Sequence, residues 1–477
     1  MILFLIEIFI LGCTIAFLFR EKISDFLLSF LAILLGLFGY FINVVFLALF
    51  NISISISILS ILMGVEIILL FLSKWLISRR IFFKFRWTGL WYVVTGVFFI
   101  VASLIFIKAG YVYASPDSLY LIVMGRNILE TGLSEWYFAS PLQWGVFVPV
   151  LHIIAFLFGY EYAWFIQPVI SLTFLIIFGF VVFRASRDIT SKKVLPYLLP
   201  LLSIGLLISS NLYWIAQFYI HNNLNTAIIF FIIVASLYFA IRNQEYAWLG
   251  ITAIFLILLG MTRSENVILA SLVIVLTIAT GKIPHRKMLW TFLPFLVFQI
   301  IWNLVIIRIN PIAFSNLMNI SQLKLVTIAL GALIVFVIAV GNPWGKKHLV
   351  PLLNILLVVG VIILLGVVFL LNPSKIFLDT WDNLYNMFFS GKWLATFWAV
   401  VILLLLVKPK KKDGLTHFFN ILIFSFFSMI VILGAVKAYG YHNLWYDSAN
   451  RMYIHILPIM VFYLSIKISS QFALKGD

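Results

Sequence analysis

The chain has 477 residues, of which 64% are hydrophobic, 17% aromatic and only 10% charged. Its apolar runs repeatedly reach the roughly 20 residues needed to cross a bilayer core, which excludes a soluble globular enzyme and predicts an all-α polytopic membrane protein. A formal net charge of +16 would suggest nucleic acid in a soluble chain; in a membrane chain Lys and Arg collect in the loops of one side, so no nucleic-acid partner is expected.

Met1 to Phe19 carries no basic stretch ahead of its apolar run and no small-residue cleavage site before Arg20, so it reads as a retained first helix. Cys13, the only cysteine, lies inside it, which rules out an intramolecular disulfide or a cysteine-based metal site. Further apolar spans follow at about 26–49, 52–74, 87–109, 163–183, 195–210, 223–241, 246–262, 265–281, 288–307, 325–341, 349–371, 393–407, 416–436 and 452–470. With the first they make about fifteen crossings. Basic clusters at Arg20/Lys22, Lys74 to Arg86, Arg184 to Lys193, Lys282 to Lys287, Lys346/Lys347 and Lys408 to Lys412 define the inner side and leave the N-terminus outside.

This parity holds on one condition. If Pro141 to Phe158 crossed, either Lys74 to Arg86 or Arg184 to Lys193 would face the wrong side, so the segment is expected to lie along the outer surface, or dip into it, as an interfacial helix. Residues 110–162 then form a large outer loop. Within it Ser115, Pro116 and Asp117 start a helix, with an N-cap hydroxyl, proline at the first position and an acid in the first turn. Leu121, Met124, Ile128 and Leu129 line one side, Ser118, Arg126 and Glu130 fall elsewhere, and Gly132 ends it. Asp117 is expected at the outer surface beneath Trp136, Tyr137 and Trp144, where a lipid head group and a polar substrate can meet. The alternative is that Asp117 only complements the helix dipole and the tryptophans only form an interfacial belt.

Other polar residues fall at outer helix ends. "LLGMTRSEN" holds Arg263 and Glu265, and an arginine reached by so apolar a span is expensive unless paired or used. "HNLWYDSANRMYIHILP" sets Asp447, Arg451 and His455 in one stripe at i, i+4 and i+8, readable as an ion pair or as an anion site. His221 and Asn222 in "YIHNNLNT", and Lys375, Asp379 and Asp382 in "NPSKIFLDTWDN", are also outside; taken singly they read as solvated loop residues. Together, one carboxylate on an interfacial helix and several cations suit transfer from a lipid phosphate. The carboxylate takes the proton of an attacking hydroxyl and the cations stabilise the departing phosphate. A helix N-terminus weakens the carboxylate as a base, and burial under substrate would offset that.

At these residues the chain resembles the GT-C superfamily of polytopic glycosyltransferases, which includes protein O-mannosyltransferases and the aminoarabinose transferase acting on lipid A. "SPDSLYLIVMGRNILETG" is similar to that superfamily's first outer loop, where an acid precedes a short helix ending in an Arg-Asn-like pair. "SPLQWGVFVPVLHIIAFLFG" is similar to its Pro-Leu interfacial helix, and "DSANRMYIHILP" resembles the start of a late crossing in bacterial members. Many protein-mannosylating members carry Asp-Glu where this chain has Asp117-Ser118, which leaves the catalytic assignment to Asp117 alone.

The resemblance implies a GT-C-like transmembrane core over residues 87–477, with interfacial helices in the outer loop 110–162, preceded by three added transmembrane helices in residues 1–86. It implies transfer of a sugar from a polyprenyl-phosphate donor to a glycan, lipid or protein hydroxyl, by single inverting displacement. The site would face the outside, or periplasm, of a prokaryotic plasma (inner) membrane. Asp117 would be the general base; Arg263, Arg451, His442 and Lys375 would hold the donor phosphate; Arg126, Glu135, Trp144 and His221 would line the substrate loop. The transfer would be metal-independent or metal-optional, with no protein metal ligands and a divalent cation as the only cofactor left open. No nucleotide-binding glycine loop is present, which favours a lipid-linked donor. The alternatives are a lipid-linked glycan polymerase or ligase, and a transporter or flippase of such a glycan. Glu7 and Glu66 are the only acids deep within spans and no internal repeat is visible, which weighs against transport.

Overall fold

The computed structural model describes residues 1–19, 23–78, 89–108, 116–133, 145–309, 320–371, 373–391, 393–410, 414–436 and 442–473. Among them every regular element is a helix. In chain order these are α1 (Ile2–Phe17), α2 (Asp25–Leu49), α3 (Ile56–Ser78), α4 (Gly89–Ile107), α5 (Pro116–Thr131), α6 (Phe147–Phe156), α7 (Ile166–Arg187), α8 (Leu195–Ile208), α9 (Asn211–Ala216) and α10 (Asn222–Arg242). There follow α11 (Trp248–Thr262), α12 (Asn266–Ala279), α13 (His285–Ile309), α14 (Ile320–Ala339), α15 (Pro343–Leu371), α16 (Pro373–Phe388), α17 (Thr396–Leu406), α18 (Gly414–Val436) and α19 (His442–Gln471). Nine described helices (α2, α3, α7, α10, α13, α14, α15, α18 and α19) are long and apolar enough to cross a membrane, and the chain is an integral membrane protein. The other segments expected to span fall on shorter apolar helices, α1, α4, α8, α11, α12 and α17.

The chain divides into two compact units. One comprises Met1–Ile177, Gln217–Asn222 and Arg308–Phe314; the other comprises Phe178–Ala216, Asn223–Ile307 and Ser315–Asp477.

In the first unit α1 and α2 cross with their backbones in contact. A Cβ added at Gly12 would stand 1.8 Å from the Ala32 carbonyl oxygen, and one at Gly36 would stand 2.2 Å from that of Ile8. Small residues at a helix crossing allow this approach, and in lipid such packing is a main source of helix association. α3 is fastened through buried Leu59 and Met63 and through the two deep acids. Ser60 donates to Glu7 Oε2 at 2.6 Å, and the Asn43 amide donates to Glu66 Oε2 at 3.0 Å.

α1 and α2 also brace α5 and α6. The Leu133 N–H, just beyond α5, donates to the Ala48 carbonyl at 3.1 Å. Tyr40 donates to the Val150 carbonyl of α6 at 3.4 Å, Phe41 meets Phe147 edge-on at 5.5 Å, and Phe4 meets Phe158 at 5.9 Å. Helices read as an addition to the core thus share a unit with α5 and α6 and hold them.

Of the segment expected to lie along the outer surface or dip into it, the described helix, α6, is ten residues long and buried from Phe147 through Ala155. The reason is legible in "FVPVLHIIAF", which is apolar all round and has no polar face to offer water or head groups. Ten residues rise about 15 Å, half of a hydrocarbon core of about 30 Å.

In the second unit α10 is buried along its length. Phe231 packs against Phe178 and Phe462, and Tyr238 against Phe419. At one end of the unit Arg184 gives its Nη2 to both oxygens of Glu245 at 2.5 Å and stacks over Phe239 and Trp248, at 4.8 and 5.7 Å. Trp248 Nε1 donates to the same carboxylate at 3.0 Å. Lys287 stands 3.4 Å over the Tyr246 ring, Ser191 donates to the Phe472 carbonyl, and Gln471 donates to that of Lys408. These are helix ends that the charge pattern assigns to one side.

Candidate functional site

The first unit carries the outer-loop candidates. α5 begins at Pro116, as its proline-first start predicts, and ends at Gly132 with φ +69°. Leu121, Met124 and Ile128 are buried as the helical period requires. Ser118 is corrected: it lies on the buried side and donates to the Ile220 carbonyl at 2.9 Å. Its position follows from register, since residues 118, 121, 125 and 128 share one face.

That hydrogen bond joins the sequence neighbours of two candidates. Asp117 precedes Ser118 and His221 follows Ile220, so each flanks, by one residue, the same contact between the first turn of α5 and the segment before α10. Asp117 is the second residue of α5, and its side chain lies outside the described atoms. His221 is buried and stacked on Tyr219 at 5.3 Å with 13° between the rings.

α5 and α6 are in direct backbone contact. A Cβ at Gly125 would stand 2.4 Å from the Pro149 carbonyl oxygen. Arg126 is exposed and stands over the Phe156 ring at 5.4 Å, a cation–π contact rather than a carboxylate pair. His152, inside α6, accepts from the Ala163 N–H on Nδ1 at 3.0 Å. Burial pushes its imidazole down to about 3, so it is neutral with its proton on Nε2. Glu135 and Trp144, with Trp136 and Tyr137, lie outside the described residues.

The second unit gathers another set where α10 and α12 begin, α11 ends and the middle of α19 passes. Arg263 caps α11 and donates from Nε to Glu265 Oε1 at 2.5 Å and from Nη1 to Asn223 Oδ1 at 3.1 Å. His455 Nε2 meets the same Asn223 oxygen at 3.3 Å. Because a guanidinium can only donate, the atom facing Arg263 is the amide oxygen, and His455 must donate to it as well. The imidazole proton is therefore on Nε2. His455 Nδ1 is buried with no hydrogen-bond partner among the described residues. Beside them Asn266 donates to Thr226 at 3.0 Å and to Thr262 at 2.7 Å.

Arg263 is therefore both paired and held. Glu265 compensates its charge while the Asn223 bond fixes its direction, and a half-buried guanidinium needs both to be tolerated in an apolar surround. Asn223 is the organiser that sequence reading misses. The available signal is "HNNLNT", five polar residues at the start of an otherwise apolar helix, of which only His221 and Asn222 are singled out there.

The remaining candidates are placed individually. Arg451 lies near the start of α19 and is half-buried; His442 is the first residue of α19, and its side chain, like that of Asp447, lies outside the described atoms. Lys375 and Asp382 fall on α16 and are half-buried; the side chain of Asp379 is outside the described atoms. Among the described residues no three His, Cys, Asp or Glu side chains group as a metal would require. Two apolar grooves along α1, α2 and α4, one of them reaching Ile166 and Ile170 of α7, contain none of these candidates. No family model, curated protein or solved structure matches the chain.

Proposed function

We propose that the chain is a membrane glycosyltransferase of the GT-C type, moving a sugar from a polyprenyl-phosphate donor to a glycan, lipid or protein hydroxyl at the outer face of a prokaryotic plasma membrane. The observation that carries the reading is the Ser118–Ile220 hydrogen bond. It ties the residue after Asp117 to the residue before the buried His221, in a unit where α5 is braced by α6. Asp117 takes the proton from the acceptor hydroxyl as its oxygen attacks the anomeric carbon, and the sugar–phosphate bond breaks on the opposite side, inverting the centre. The phosphate carries away the electron pair and is met by cations, for which Arg451, Lys375 and His442 remain the candidates. Arg263 contributes through a guanidinium already compensated by Glu265, so it orients more than it attracts.

The test is mass spectrometry of envelope glycans and glycolipids from host cells that lack the protein, carry it, or carry equally abundant Asp117→Asn. A sugar mass lost in the deletion and restored only by the native chain is expected, with Asp117→Asn at least about 100-fold slower, the scale of a lost general base. Full restoration by Asp117→Asn would remove Asp117 from the mechanism. It would turn attention to the second reading, export of a finished lipid-linked glycan.

A further inference from the structure

α16 is amphipathic in an inverted sense. Phe377, Leu378, Trp381, Leu384 and Tyr385 fall at i, i+1, i+4, i+7 and i+8, a single stripe along the helix. All five are exposed, by 71, 46, 56, 44 and 45%. Lys375 and Asp382 lie on the other side and are half-buried, while Met387, on the flank opposite the stripe, is buried. In water such a helix would expose its apolar face and cover its polar one, which reverses the usual arrangement of a surface helix.

Two neighbours decide what the stripe meets. α15 is the most apolar of the candidate spans, is almost wholly exposed, and ends at Leu371, two residues before α16 begins with Pro373. α16 therefore starts where a lipid-immersed helix leaves the hydrocarbon. Its far end is pinned: Trp398 Nε1 of α17 donates to the Phe388 carbonyl at 2.7 Å, and the Trp398 ring meets Phe388 at 4.8 Å. α17 is itself a short apolar helix running away from that point. Both ends of α16 are thus tied to the boundary of the apolar layer, and the stripe between them contains a tryptophan and a tyrosine, the residues that settle at head-group depth.

We propose that α16 lies flat in the lipid head-group region, with the Phe377–Trp381–Tyr385 stripe inserted at the level of the acyl-chain carbonyls. The occupant of the exposed face is the bilayer itself. Insertion of a flat amphipathic helix by about 5–10 Å buries the stripe and leaves the opposite side at the level of the lipid phosphates. Lys375 is then held at phosphate height by its helix. This inference does not depend on the proposed activity.

Because Cys13 is the only cysteine, a Cys13→Ser background accepts single reporters cleanly. Full-length Trp381→Cys, Phe377→Cys and Asp382→Cys would each be labelled with an environment-sensitive fluorophore and reconstituted in phosphatidylcholine vesicles. Nitroxides would be carried on the lipid chain near the carbonyl, near the chain end, or in the water. Labels at 381 and 377 should be quenched several-fold more by the carbonyl-level nitroxide than by the other two, and the label at 382 most by the aqueous one. Dominant aqueous quenching at 381 and 377 would overturn the proposal in favour of a solvated face. Dominant chain-end quenching would make α16 part of a crossing. Protection from all three would give the face to a second copy of the chain.

Discussion

The contact between α5 and α6 is tight enough to be broken by one methyl group. An alanine Cβ at Gly125 would lie 2.4 Å from the Pro149 carbonyl oxygen and 3.2 Å from Phe156 Cε2. Ordinary contact begins near 3.4 Å, so the helices must part by about 1 Å. The obstructing atom is backbone and cannot rotate aside. Overpacking of this kind costs about 1–3 kcal/mol, and for a unit of this size each kcal/mol lowers a melting midpoint by roughly 2–4 °C. Unfolding in detergent can be followed with a thiol-reactive dye, because Cys13, in the same unit, is the single thiol and lies on α1. Two companions calibrate the scale. Gly12→Ala, with its Cβ 1.8 Å from a carbonyl, should fall furthest, whereas Gly96→Ala, with nothing within 4 Å, should hold or rise through better helix propensity. If Gly125→Ala melted with Gly96→Ala, the close packing that positions Asp117 would be refuted.

Asn223→Leu removes the one oxygen that both Arg263 and His455 face; it should cost about 1–3 kcal/mol, while Asn223→Asp, which keeps an acceptor, should cost less in the same melting assay. Equal midpoints for the two would mean that the shared oxygen is not what holds this cluster. The pH dependence of stability should report His152. Its folded value lies below its unfolded one, so its contribution is complete above about 6.5 and is lost as pH falls toward 3. At pH 5 the loss is about 2 kcal/mol relative to pH 7. His152→Asn retains an acceptor for Ala163 without titrating, so its midpoint should fall less between those two pH values; an identical fall would assign the effect to other groups.

Much of the architecture is legible in hydropathy because a bilayer demands length and apolarity before anything else. α5 is readable down to its first and last residues, since proline at its start and a positive-φ glycine after its end are local signals. Burial is harder to read. Ser118 is placed on the wrong side because hydroxyls look polar, yet a serine that bonds a neighbouring backbone is at home in a helix contact. α6 is given an interfacial role because charge parity forbids a crossing there, and parity says nothing of the enclosure that its all-round apolar composition asks for. α16 shows the opposite failure. Lys375, Asp379 and Asp382 read as solvated loop residues, while the apolar period running between them marks a helix. Asn223 escapes because nothing local distinguishes it from Asn222 or Asn225; only the fold brings Arg263 and His455 to the same oxygen. What makes Glu7 and Glu66 unremarkable as transport residues is equally non-local, namely the serine and the asparagine that face them from neighbouring helices.

The clamp between Arg184 and Glu245 also bears on how the chain is built. The two residues are 61 apart in sequence, so during synthesis the arginine emerges well before the carboxylate that will compensate it. α8 and α10 must be inserted in the interval. The pair can close only if the short connection between α10 and α11 is delivered to the membrane face where α7 ended. A hairpin threaded the wrong way round leaves a lone guanidinium on one face and carries the carboxylate, with Phe239 and Trp248, to the other. The ion pair thereby separates correctly threaded chains from misthreaded ones before α11 and the helices after it have been made.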